Sequence, residues 1–331
     1  MKKFHWIQYS FLLFTLLLLI CTSCQKKEAK VIRLNEVVHS IFYAPQYVAM
    51  EKGFFEEEGL EIELSIGWGA DKSMTALVSD NADIALMGSE ASIYVYNQGK
   101  EDYVVNFALL TQKAGNFLVA REPEPDFTWE KLKGKTIIGG RPGGMPQMVL
   151  EYILKQKNMQ PFEDVTIITN LQFNSTAGAF VGGTGDYTVE FEPAASTIEE
   201  EGSGYVVASL GIDSGNVPYT AYATTQEYLE KYPDRIQKFT NAIYKGLKWV
   251  EQHEAEEIAK VIQPQFAETD LDLITTIVKR YKEQDTWSPT PVFKKESFDL
   301  LQDILDMAGE LEQRIPYEDI ITTDFAKKAI Q

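Results

Sequence analysis

Apolar and polar positions along the 331-residue chain alternate between two periods. "VIRLNEVV" (31–38) reads as a strand, and "APQYVAMEKGFFEEEG" as a helix entered at Pro45 and stopped by Gly59. "LEIELSI" is a strand of period two, "DKSMTALVSDN" a helix with Asp71 as its N-cap, and "ADIALMG" a short apolar strand. "SEASIYVYNQG" predicts the next helix, capped at Ser89, and "YVVNFALL" the next strand. The order βαβαβαβ is that of a mostly parallel sheet with helices on both faces. A second unit of the same kind follows. "KTIIGG" and "DVTIIT" read as strands around the helix "GGMPQMVLEYILKQKN"; a helix near 175–181, a strand through "DYTVEFE", a helix over about 193–200 and the strand "GYVVASL" complete it. Beyond Thr225 helices dominate, with apolar residues three and four apart.

Two α/β units and a helical tail predict two lobes. The chain crosses between them near 111–120 and again near 215–224. Residues 31–115 and 221–331 are assigned to the first lobe, which is discontinuous and carries the C-terminal helices, and 116–220 to the second. Open α/β sheets take ligands beyond the C-terminal ends of their strands, where helix starts leave N–H groups free, so facing lobes define a cleft.

The N-terminus reads as a secretory leader, residues 1–23: Lys2 and Lys3 precede the apolar run "FLLFTLLLLI", about ten residues and too short to span a bilayer stably. "CTSC" then resembles the lipobox of bacterial lipoproteins, which implies lipidation at Cys24 and a tether over 24–30. Both cysteines lie in this segment, so the mature chain has neither a disulfide nor a thiol nucleophile. The expected location is the extracytoplasmic face of the cell membrane, held by lipid. A net charge of −18 with no clustered basic stripe speaks against nucleic acid as a partner.

"SIFYAPQYVAMEKGFFEEEGLEIEL" resembles the first strand–helix–strand of the solute-binding proteins of nitrate, sulfonate, taurine and thiamine-precursor importers, the NMT1/THI5-like family. "NADIALMGSE", "KLKGKTIIGGRPGGMP" and "GTGDYTVEFEP" fall at matching places in matching order. The resemblance implies a two-lobed, type II periplasmic-binding-protein-like α/β fold that closes on a small molecule and docks, as a monomer, on an ABC permease with its ATPase. It implies no cofactor and no metal.

Candidate ligand contacts follow from loops at the strand ends. "HSIFYAP" presents Ser40, Phe42 and Tyr43, whose rings can stack on a planar ligand; "WGAD" presents Trp68 with Gly69. Ser89 and Glu90 open one helix, and Gly143, Gly144 and Met145 open its counterpart in the other lobe, where glycines expose N–H groups. Phe173 and Asn174 end a strand and Tyr219 lies at the hinge. "GDYTVEFEP" reads as a half-buried strand with Asp186, Thr188, Glu190 and Glu192 on one face and Tyr187, Val189 and Phe191 on the other. Glu192 is expected to reach the cleft or cap the following helix, and Tyr187 joins the candidate rings although alternation points it away from the acids. Two acids on one strand face repel unless one is solvated, protonated or facing a cation. Aromatics and acids outweigh the nearby cations Lys72, Lys113 and Arg141, which favours a planar or amine-bearing solute, such as a thiamine pyrimidine precursor, over a sulfonate, taurine or nitrate. A pyrimidine-synthase-like enzyme is disfavoured because the mature chain lacks the cysteines that chemistry needs in the family, and no Ser-His-Asp or zinc spacing is apparent. No catalytic residue is assigned. A ligand-sensing lipoprotein is the remaining alternative.

Overall fold

The computed structural model describes residues 29–99 and 101–331, so the expected leader and Cys24 lie outside the described residues. Two five-stranded sheets form the framework. The first runs β2 (Leu60–Ile66), β1 (Lys30–Glu36), β3 (Ile84–Gly88), β10 (Thr220–Thr225), β4 (Val104–Thr111). The second runs β7 (Thr166–Ile168), β6 (Thr136–Ile138), β8 (Tyr187–Phe191), β5 (Asn116–Ala120), β9 (Tyr205–Ser209). In the first, β1 is parallel to β2 and β3, and β10 is antiparallel to β3 and β4. In the second, β6 is parallel to β7 and β8, and β5 is antiparallel to β8 and β9. The reversed strand of each sheet is the one that the chain enters on arriving from the other sheet.

Strands inside the sheets are buried on both faces, which is why β3 reads as an unbroken apolar run. The same holds for β8. The sequence predicts it half-buried, but it is the central strand of its sheet and Tyr187 to Glu190 are all buried. Helices clad the sheets through apolar stripes: Pro233–Gln252 buries Ile236, Phe239, Ile243, Leu247 and Val250 at three- and four-residue spacing. This helix lies against Ala44–Glu51 so closely at Gly246 that a Cβ there would stand 2.2 Å from the Pro45 carbonyl oxygen.

Three elements differ from the sequence pattern. The helix expected to run to Gly59 ends after Glu51 and resumes only as Phe54–Glu57, because Gly53 takes a left-handed φ of +72° between them. Helix Ala255–Ile262, which the pattern missed, is started by a capping box of Glu254 and Glu257. Helix Lys295–Ala308, which the sequence joins to the first sheet's body, packs on Met145–Gln156 beside the second sheet, and Lys155 Nζ donates to the Met307 carbonyl. Among the described residues no helix is long and apolar enough to cross a membrane.

Candidate functional site

A cavity of about 640 Å³ lies between the two sheets and draws its walls from both. On the first-sheet side, helix Ala70–Val78 begins at Gly69 and helix Glu90–Asn97 begins after β3; both helix starts border the cavity. On the other side, residues 141–146 lead into Met145–Gln156, and Phe173 and Phe191 stack with centroids 5.6 Å apart. Tyr219 and Thr220 line it where β10 returns to the first sheet.

The lobes meet across this space on the side away from the strand crossings. Arg141 forms a two-pronged ion pair with Asp71, at 2.9 and 3.0 Å. Burial alone would raise the Asp71 carboxyl, but Arg141 outweighs it and holds the group below its ordinary value. Tyr94 Oη donates to the Gly143 carbonyl at 2.9 Å. Asp71, read from the sequence as a cap, therefore serves as half of an interlobe clasp, and Gly69 holds the N-cap position.

Glu90 is the dominant polar feature. Only 2% of it is exposed, and its Oε2 has no hydrogen-bond partner among the described residues. The carboxylate folds over Gly88, where a Cβ would stand 2.0 Å from Oε2. Burial pushes its pKa up to about 8, against the opposing pull of the backbone N–H groups of Glu90, Met145 and Ala91. Met145 opens the helix of the other lobe, so Glu90 lies where an anion at that helix start would lie. The Gly143 N–H is also taken, donating to Gln147 Oε1 at 2.9 Å.

The structure brings Tyr43, Gly69, Glu90, Gly143, Gly144, Met145, Phe173 and Tyr219 together around the cavity, as the sequence proposes. Other candidates lie elsewhere. Phe42 is buried behind the wall, its ring 5.6 Å from Phe191 and 5.7 Å from Tyr219. Ser40 Oγ donates to the Glu192 carbonyl at 2.5 Å, and Ser89 Oγ to the Pro218 carbonyl at 2.8 Å; both tie the lobes together near the crossings. Trp68 is exposed, with a left-handed φ of +59°, and Asn174 is exposed beside Ser175. Tyr187 donates to Glu124 and packs near Phe127, on the side of the sheet away from the acids, as alternation requires. The Glu192 carboxylate is consumed internally: it accepts from Ser196 N and Oγ at 2.8 Å and from Arg280 at 2.7 Å. Glu190 is held by the hydroxyls of Thr188 and Thr176, and burial raises it to about 7. The repulsion expected between these two acids is thus relieved by a cation at one and burial toward the neutral form at the other.

Tyr94, Phe191, Glu310 and Glu312 also line the cavity and were not proposed from the sequence. Tyr94 carried a signal, since it lies four residues after Glu90 on one helix face. Glu310 and Glu312 carried none, because they arrive from the far end of Lys295–Ala308. Among the described residues, no group of three or more His, Cys, Asp or Glu side chains has a metal-holding arrangement.

The profile of the family described as "NMT1/THI5 like" matches residues 41–257. The chain is 49% identical over 319 residues to the Bacillus subtilis protein named "Putative binding protein YtlA", covering 96% of this chain and 94% of that one. The aliphatic sulphonate binding protein SsuA of Escherichia coli shares the fold at a TM-score of 0.69 and 17% identity, over 91% of this chain and 99% of that one. The nitrate-binding protein NrtA of Synechocystis PCC 6803 does so at 0.72 and 16%, over 92% of this chain and 89% of that one.

Proposed function

The chain belongs to the NMT1/THI5-like family, and we propose that it is the extracytoplasmic solute-binding component of an ABC importer. It captures one small organic molecule between its lobes, closes on it and delivers it unchanged to the permease. The observation that carries this reading is the cavity of about 640 Å³ between two sheets, closed on its far side by Asp71–Arg141 and Tyr94–Gly143. The names of the relatives, a binding protein and periplasmic binding proteins for sulphonate and nitrate, support it. In this reading residues 31–115 and 221–331, without helix Lys295–Ala308, act as one lobe, and 116–220 with that helix as the other. Lipid at Cys24 keeps the monomer near its permease.

The solute is an aromatic amine, of which a thiamine pyrimidine precursor is one example. Tyr43, Phe173, Phe191 and Tyr219 supply flat apolar surface, and acid outnumbers base in the lining. A sulfonate or nitrate is the weaker reading, because Glu90 and Gln147 already occupy the N–H groups that would hold an anion. Among the described residues no nucleophile–base pair faces the cavity, which favours carriage over turnover. A thermal-shift screen across aminopyrimidines, taurine, alkanesulfonates and nitrate tests the assignment: aminopyrimidines should stabilise the protein, and stabilisation by sulfonates alone would overturn it.

A further inference from the structure

We infer that Glu90 is the group that selects the solute, accepting hydrogen bonds from a cationic nitrogen head of amidinium or ammonium type and turning anions away. This rests on the solute-binding reading above and deepens it to one residue and one charge class. Three observations point the same way. Glu90 Oε2 is buried at the cavity wall and has no partner among the described residues, so it holds an acceptor that protein groups leave open. The carboxylate lies over Gly88, where a Cβ would stand 2.0 Å from Oε2, so glycine at 88 is what leaves this position open to it. Finally, among the described residues the lining offers no free counter-charge. Its one cation, Arg141, is engaged on both prongs by Asp71, while Glu310 and Glu312 add exposed acid at the rim. The side chains facing Glu90 are Tyr43, Tyr94 and Tyr219, whose hydroxyls are neutral at physiological pH and whose rings favour a cation near their faces.

A buried acceptor with no partner costs stability, and a ligand that supplies an N–H donor recovers it. An amidinium meets a carboxylate with its N–H groups and favours the charged form of Glu90, whereas a sulfonate has no N–H to offer and would leave Glu90 protonated.

Three probes that share one ring separate charge from shape: benzamidine, benzamide and benzenesulfonate, titrated into the purified full-length protein and its Glu90→Gln variant. In the wild type benzamidine should bind about tenfold or more tightly than benzamide, with benzenesulfonate weakest. Glu90→Gln should lower the benzamidine-to-benzamide affinity ratio from about tenfold or more to about one, a change in ranking that a purely structural role for Glu90, which would weaken all three probes alike, would not give. If benzenesulfonate leads in the wild type, or if the gap survives in the variant, the inference falls while the solute-binding reading stands. Failure of all three to bind the wild type also overturns it, and the wider solute screen then decides the solute-binding reading separately. Should the variant not fold, the wild-type ranking alone decides: benzamidine first by tenfold supports the inference, and any other order overturns it.

Discussion

Arg280 Nη1 stands 2.7 Å from Glu192 Oε1, joining helix Leu271–Glu283 to the chain just beyond the central strand β8 of the second sheet. Its other nitrogen reaches Glu199 at 3.1 Å. Around the pair, Tyr281 Oη donates to the Gly115 carbonyl at 2.9 Å, Gln284 Nε2 to the Ala114 carbonyl at 3.1 Å and Trp287 Nε1 to the Phe42 carbonyl at 2.8 Å. The helix and the segment after it therefore brace both the ion pair and one of the two crossings. The acid that looks from the sequence like a ligand contact is a structural tie at the lobe junction.

Removing the cation from this pair strands a fully buried carboxylate. Arg280→Ala is expected to cost about 3 kcal/mol of stability, the range found when one partner of a buried pair is deleted. Urea unfolding would measure it, and a change under about 0.5 kcal/mol would mean that Glu192 is already neutral in the folded protein.

Glu90 makes the ligand-free protein pH-sensitive in a defined direction. Burial raises its carboxyl from an ordinary 4.5 to about 8, so the folded state holds the proton more tightly than the unfolded chain. The contribution to stability is complete below the unfolded value and is lost as pH rises through the folded one. Melting temperature should fall between about pH 5 and about pH 9, and Glu90→Gln should remove much of that fall. Glu190, raised to about 7 by burial, acts with the same sign. Binding of benzamidine, which favours the carboxylate, should strengthen toward pH 8 in the wild type only. Melting profiles of wild type and variant that run parallel would contradict this account.

Gly88→Ala tests the same carboxylate without touching it. The new methyl would fall within 2.0 Å of Glu90 Oε2, a side-chain terminus that can swing aside more cheaply than backbone can. The fold should survive with a loss of about 1–2 kcal/mol, and selectivity for benzamidine over benzamide should drop as it does in Glu90→Gln. Retained selectivity would mean that the position of Glu90 is not what sets it.

Arg141→Ala opens the clasp at the cavity mouth. Asp71 and Arg141 are partly exposed, so stability should change by less than about 1 kcal/mol. Dissociation of a bound solute should quicken instead, because closure loses one of its interlobe contacts. Stopped-flow release rates compare the two forms; equal rates would show that the clasp does not hold the closed state.

Much of this was legible in local pattern. Pro45, Gly59 and the apolar alternations located strands and helices because these signals act within a few residues. Tyr43, Glu90, Gly143 and Phe173 were identifiable as cleft residues because strand ends and helix starts face the cleft in any open α/β sheet. What stayed hidden depends on partners far away in the chain. Asp71 looks like a cap until Arg141, 70 positions on, claims it. Glu192, expected to reach the cleft or cap the next helix, does cap it through Ser196 N, and its pairing with Arg280, 88 positions on, is what local pattern could not show. Ser40 and Ser89 sit at strand ends as expected, but their hydroxyls are spent on the carbonyls of Glu192, just beyond β8, and of Pro218, in the second crossing. The strand with Glu190 reads as half-buried because its polar alternation hides the fact that the acid is paired internally with Thr188 and Thr176. Helix Lys295–Ala308 carries an ordinary apolar stripe that does not reveal which body it faces.

The most direct test of a carrier is to weigh its cargo. The full-length protein is saturated with the solute that raises its melting temperature most, freed of excess, denatured, and the released molecule measured by mass spectrometry. One molecule per chain, of the same mass as the one added, is the predicted result. A product of different mass, or several molecules per chain, would contradict the account.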